Sequence, residues 1–276
     1  LLRRIVGANR VDGEPAAAEA LVRSVGRLPL ALRIVAARLA ARPHWSLASM
    51  VNRLSDERHR LDELTHGELG VRASLSLTYD GMDELTRRSL RLFALAEGPS
   101  QPGWLAGALL DDRRLHPSDL LEPLVDAQML DVTGIDTGGD PRYRYHDIIR
   151  LFARERLYEQ ESETGRLDAT GRLVGGWLSL VDEANRRIHG GDYLLLHGQG
   201  PRWRPPRRLV EQLLTDPMDW FEGEQDNLYA TVDIAAAAGL DELCWDLAVS
   251  LLTLFSRRCH LDEWAAVNRS AMAVVR

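Results

Sequence analysis

Residues 142–157 read RYRYHDIIRLFARERL, and within them an imidazole and a carboxylate stand side by side, His146 and Asp147. Tyrosine and arginine alternate before this pair. That is the two-residue period of a strand, and it puts Tyr143 and Tyr145 on one face and Arg142 and Arg144 on the other. After the pair, Ile148, Ile149, Leu151, Phe152 and Leu157 fall at helical spacing. His146 and Asp147 therefore stand at a helix N-terminus, where unpaired backbone N–H groups and the positive end of the helix dipole favour an anion. A carboxylate there caps or begins the helix, and a histidine there can donate a hydrogen bond to a phosphate. Each residue alone also has a plain structural use: Asp147 as a cap that fixes the exit of a hairpin, His146 as a hydrogen-bonded core histidine.

Several other chemistries have no residues to carry them. All 34 basic residues of the chain are arginine. A phosphate loop of the G-x-x-x-x-G-K-[ST] type needs its lysine against the phosphates, and Schiff-base catalysis needs one too. The eight histidines show no metal spacing such as H-E-x-x-H. The acidic stretch HLDEW around His260 reads as a solvated helix start, and G-x-S-x-G is absent. We expect no enzyme, no catalytic residue and no metal site. Cys244 and Cys259 lack ligand spacing, which fits a reduced, cytoplasmic chain. No apolar run approaches the roughly 18 residues that span a bilayer, and no signal peptide is legible. The opening LLRRIVGANR lacks an initiator Met, so a piece of a longer protein is expected. The formal charge of −7 argues against a general attraction to nucleic acid.

The elements that must position the His-Asp pair are mostly helical. Pro15 suits the first turn of one helix in EPAAAEALVRSV. Pro29 opens and Pro43 closes the next, LPLALRIVAARLAARP, with Leu32, Val35, Ala36 and Leu39 on one face. Ser46 caps a third helix, with Leu47, Met50, Val51 and Leu54 as its stripe. Then DELTRRSLRLFALAE, GWLAGALL and SDLLEPLVDAQML read as three helices, Pro123 starting the last one late or kinking it. The extended runs MLDVTGI and RYRYH flank Asp136-Thr-Gly-Gly-Asp140, a hairpin signal. Three helices and a hairpin give the order of a winged helix, which the helix from Asp147 to about Glu161 closes. Beyond residue 162 the chain is helical again, with GGDYLLLHGQGPRWRPPRR as a long loop. The expected fold is mainly α: a helical domain (1–66), a winged helix with one small β-hairpin (67–161) and antiparallel TPR-like helices (162–276).

Three separated motifs carry a resemblance. GRLPLALRIVAARL resembles the G-L-P-L-A segment of STAND-class nucleotide switches, the NB-ARC group. YHDIIRLFARERL resembles the M-H-D segment of the same group, with Tyr145 in place of the methionine, and Arg27 stands where a glycine is common. FEGEQDNLYATVDIAAAAGLDELCWDLAVSLL resembles the start of the helical repeats in regulators of the AfsR-like SARP type. Order and intervals fit across nearly the whole chain.

The resemblance implies that Pro29, with Leu28 and Leu30 beside it, packs on an adenine. It implies that His146 reaches the β-phosphate of ADP, braced by Asp147. ADP or ATP would then bind in the full-length protein only, and none is expected on this segment alone. The partners implied are the protein's own nucleotide-binding and DNA-binding domains, with a protein or small-molecule effector on the C-terminal helices. No membrane contact is implied. Two other readings remain: a helical interaction scaffold without nucleotide contact, and DNA binding through the winged helix. The second is opposed by SDLLEPLVDAQML, which carries Asp119, Glu122 and Asp126 and no cation, although Arg142 and Arg144 could touch phosphates. Trp220, Trp245 and Trp264 read as core more than as a groove. PRWRPPRR (201–208) reads as a proline-rich linker whose charges meet water, with an acidic partner or nucleic acid as the alternative.

Overall fold

A computed structural model describes residues 1–26, 29–55, 65–66, 69–112, 117–192, 196–258 and 261–274. The chain divides into two compact units, one of residues 1–83 and 145–155, the other of residues 84–144 and 156–276.

The first unit opens with α1 (Leu2–Val6), α2 (Ala8–Gly13), α3 (Pro15–Ser24), α4 (Pro29–Ala41) and α5 (Leu47–Ser55). Pro15 and Pro29 each begin a helix, where the missing N–H costs nothing. Ser46 caps α5 as its sequence suggests, its Oγ accepting from Ser49 N at 3.0 Å. The carboxylate of Glu14 accepts from the backbone N–H groups of Leu47 (3.1 Å) and Ala48 (3.0 Å), so the start of α3 also satisfies the start of α5. The apolar face of α4 is turned by one residue from the expected stripe: Ala31 and Ile34 join Val35, Ala36 and Leu39 in the core, and Leu32 is half-buried. A short antiparallel ribbon, β1 (Thr65–His66) with β2 (Leu69–Gly70), leads into α6 (Val71–Asp80).

The second unit begins with α7 (Glu84–Phe93), β3 (Gln101–Pro102), α8 (Trp104–Leu110), a 3₁₀ turn (Pro117–Leu120), α9 (Glu122–Asp126), β4 (Asp131–Ile135) and β5 (Pro141–Arg144). This is the helix, strand, helix, helix, strand, strand order of a winged helix. The expected hairpin is present, β4 pairing antiparallel with β5. A third strand, β3, joins the far edge of β5, so the order is β3-β5-β4. Pro123 falls in the first turn of α9, which starts late and holds only 5 residues. In the hairpin turn, Asp136 Oδ1 accepts from Gly138 N and Asp140 N, both at 2.9 Å.

After Arg144 the chain enters the first unit and begins α10 (Asp147–Gln160), returning to the second unit at Arg156. The 27-residue α11 (Glu163–His189) follows, capped by Ser162. Then come α12 (Arg207–Leu213), α13 (Pro217–Ala237), α14 (Asp241–Ser250), α15 (Leu252–Arg258) and α16 (Leu261–Val274). Helix α11 packs against α8, α13 and α14. Their shared core holds Trp104 edge-on to Trp177 at 4.9 Å and Trp177 at 6.2 Å from Trp220. Trp220 is core as expected, but Trp264 is 39% exposed. Among the described residues no helix is long and apolar enough to cross a membrane.

Candidate functional site

The seam singled out in the sequence lies wholly in the first unit. Helix α3 ends on Val25 and Gly26, whose N–H groups return to Leu21 O (3.3 Å) and Arg23 O (2.9 Å). Gly26 sits at φ +60°, in the left-handed region that glycine enters without the steric cost of a Cβ. That turn hands the chain on to α4, whose first residue, Pro29, is exposed. Leu28 lies outside the described residues. Leu30 occupies the first turn of α4, and of it only the backbone is described.

At the other side of the seam, Arg150 N donates to His146 O at 2.9 Å, which makes His146 the cap position of α10 and Asp147 its first helical residue. His146 is half-buried and Asp147 exposed. The residues that follow fix their direction: Ile148, Ile149, Phe152 and Ala153 are buried. Helix α6 holds α10 from the side. Tyr79 meets Phe152 edge-on at 5.8 Å. Arg72 forks onto Glu155, Nη2 to Oε1 at 2.7 Å and Nε to Oε2 at 3.2 Å.

These two stretches meet. A Cβ on Gly26 would lie 3.8 Å from Asp147 N, 3.9 Å from His146 Cβ and 4.0 Å from Ile148 Cγ1. Consecutive Cα atoms are ~3.8 Å apart, so Pro29 Cα lies within roughly 11 Å of Gly26 Cα. The starts of α4 and α10 therefore fall in one neighbourhood although well over a hundred residues separate them. The start of α10, at this contact, brings unpaired N–H groups and a partial positive charge that favour an anion. Of the five residues expected at the site, His146 and Asp147 lie against Gly26, and Pro29 follows Gly26 by three positions in the chain. Gly26, the glycine that opens the GRLPLA segment, was not among the expected site residues.

The residues weighed for contact with DNA lie in the second unit. Tyr143 donates its hydroxyl to Glu122 Oε1 at 3.0 Å, so the first residue of the short α9 is an acid already engaged by the sheet. Arg142, expected as a candidate for phosphate contact, is committed inward. Its Nη1 and Nη2 both donate to the buried Glu224 carboxylate, and its Nε donates to Ser100 Oγ at 3.0 Å. Burial alone would lower the Arg142 pKa, but the hydrogen bonds and charge of Glu224 more than offset it, and the guanidinium is held above its ordinary value. Arg144 is exposed, with Asp131 at 3.9 Å.

Comparison with known proteins finds two regulatory proteins from Streptomyces. The chain is 34% identical over 281 aligned residues to "Regulatory protein AfsR" of Streptomyces griseus, an alignment that takes in 99% of this chain and 28% of that protein. It is 37% identical over 276 residues to "Regulatory protein AfsR" of Streptomyces coelicolor, with 98% of this chain and 27% of that protein covered. The chain thus spans little more than a quarter of the length of the curated relatives it matches. No protein-family model and no solved structure matches it.

Proposed function

We propose that this chain is the regulatory middle segment of an AfsR-like, STAND-type transcriptional regulator, and that it helps clamp ADP. In this reading Pro29, with Leu28 and Leu30 beside it, packs on the adenine. His146 donates to the β-phosphate and Asp147 holds the helix start that aims it. The observation that carries the reading is the close approach of Gly26, just before Pro29, to His146 and Asp147. The residues fit a nucleotide diphosphate in kind: an exposed prolyl ring beside one helix start, and an imidazole at another that already favours an anion. The similarity to regulatory proteins over nearly the whole chain points the same way.

The nucleotide supplies the charge that holds the closed state, and this chain supplies the groups that sense it. Removing the His146 contact favours opening, because the ligand then distinguishes less between the two states. The helices beyond residue 162 receive an effector and pass its state to a DNA-binding domain elsewhere in a cytoplasmic protein.

The test is His146→Ala in the longer protein expected to contain this segment. Retention of ADP through desalting should fall, and output from a promoter reporter should rise above basal. If both stay at wild-type values, His146 has no part in the switch. DNA binding by this segment is the weaker alternative, given the acidic α9 and the inward commitment of Arg142.

A further inference from the structure

The run PRWRPPRR is not the solvated linker its composition suggests. Between α11 and α12, Trp203 and Pro205 are buried and Arg204 is exposed, the alternation of an extended strap lying on a surface. The Trp203 ring stacks on Trp104 with 15° between planes and 6.4 Å between centroids. Its Nε1 donates to Asp111 Oδ1 at 3.2 Å. The carbonyl of Pro201 passes so close to Gly175 that any Cβ there would collide with it, which gives the glycine pair in the middle of α11 its use. Arg202 has four of its five N–H donors engaged. Its Nε donates to Asp182 at 3.3 Å, its Nη1 to Gly198 O and Gly200 O at 2.8 Å each, and its Nη2 to the fully buried Asp246. These contacts fix the strap as one wall of a cleft of about 490 Å³, which α11 and the start of α12 complete.

The lining of the cleft is basic in a chain whose net charge is −7. Leaving aside Arg202 and its acidic partner Asp182, four arginines stand against two glutamates. Arg186 and Arg187 rise from α11 and share Glu183. Arg207 holds Glu211 at 2.8 Å while 93% exposed, and so keeps most of its donors. Arg204 has no hydrogen-bond or ion-pair partner among the described residues. Arginines of α11 and of the strap thus line the same cleft.

We propose that this cleft binds a small polyanion, a compound carrying phosphate groups or several carboxylates. A guanidinium fork matches either oxyanion with two parallel hydrogen bonds. The volume lies within the range of small-molecule sites of about 300–1,000 Å³, too confined for a duplex. The anchored strap removes an ordering cost that a flexible loop would bring. Arg204 and Arg207 grip from the strap side, Arg186 and Arg187 from α11, and the anion takes the place of Glu183 and Glu211 at the guanidinium edges. This does not rest on the nucleotide reading of the first unit.

The test titrates the 276-residue chain by calorimetry, at fixed ionic strength, with pyrophosphate, with citrate and with a single-stranded oligonucleotide. Saturable binding of pyrophosphate or citrate is expected, and the tighter of the two tells whether phosphate or carboxylate is the recognised group. Arg204→Ala and Arg207→Ala should each weaken it about tenfold, the loss of one charge-assisted interaction. Glu211→Gln should tighten it severalfold by removing the competitor, and the melting temperature without ligand should not change in any of the three. The proposal is overturned if neither small anion saturates, if Arg204→Ala leaves binding as it was, or if the oligonucleotide binds more tightly than both and loses its affinity in Arg204→Ala.

Discussion

The sheet of the second unit and the His-Asp seam of the first use their polar side chains in opposite ways. Around the sheet, charge is taken inside and paired. Arg142 and Glu224 meet beneath the sheet, Asn227 donates to Ser100 O at 3.0 Å, and Gln101 donates to Asn227 Oδ1 at 3.1 Å. Arg91, almost fully buried, reaches Glu161, Gln160 and Glu84 together. In the first unit the seam is built on apolar residues, and Pro29 and Asp147 lie at the surface. Buried ion pairs fix one arrangement because breaking them strands a charge. Exposed polar groups over an apolar floor cost little to rearrange and remain open to a ligand. Buried pairs hold the architecture, while the exposed groups at the seam and in the arginine cleft of the second unit stay accessible, and arginine alone does not tell which is which.

The largest effect expected from this contrast is in the second unit. Arg142→Ala should destabilise it by about 3–5 kcal/mol, since Glu224 would be left buried without a countercharge, with only Asn227 Nδ2 still donating to it at 2.7 Å. Urea denaturation of the variant beside His146→Ala sharpens the comparison, because the latter should cost far less. Equal losses in the two would break it. A smaller effect is expected at Gly26→Ala. Nothing there collides with a Cβ, so the cost is the backbone at φ +60°, about 1–2 kcal/mol. The same denaturation measurement checks it, and a loss well above that range would mean the turn is packed more tightly than its contacts imply.

The smallest effect is a pH dependence in the hairpin turn. Burial raises the Asp136 pKa above its ordinary value, against the hydrogen bonds from Asp140 N and Gly138 N, which lower it. An acid raised in the folded chain holds its proton where the unfolded chain has released it. Its contribution is therefore largest at low pH and is lost as pH rises through the window from the ordinary Asp value to the raised one. Asp136→Asn can keep both backbone hydrogen bonds and carries no proton to lose, so stability measured across that window should show a shallower fall than in the wild type. An unchanged slope would assign the fall to other groups, among them Asp182, which burial also raises.

Local pattern made much of this legible. Helix starts at Pro15 and Pro29, the Ser46 cap, the hairpin turn at Asp136–Asp140 and the seam at His146 each depend on a few adjacent residues, and each was in the sequence to read. What stayed hidden depends on distant partners. Arg142 looked like a phosphate contact because its strand face is set locally, while Glu224, 82 positions on, leaves no trace in the strand's period. The two-residue β3 is too short to show any period at all. Trp203 looked like part of a linker because proline and arginine surround it, and only its stack on Trp104 reveals the anchor. At the seam, the residue types suggested the chemistry, but the neighbour Gly26 emerged only from the approach of the turn after α3 to the start of α10.

The first unit is closed by a stretch, 145–155, that the chain borrows from the midst of the second. No single cut can separate the two. A fragment ending at residue 83 would lack Ile148 and Phe152 from its interior and would leave Tyr79 without its ring partner. In evolutionary terms, neither half can be exchanged as a cassette by one crossover, so the pair must be inherited together.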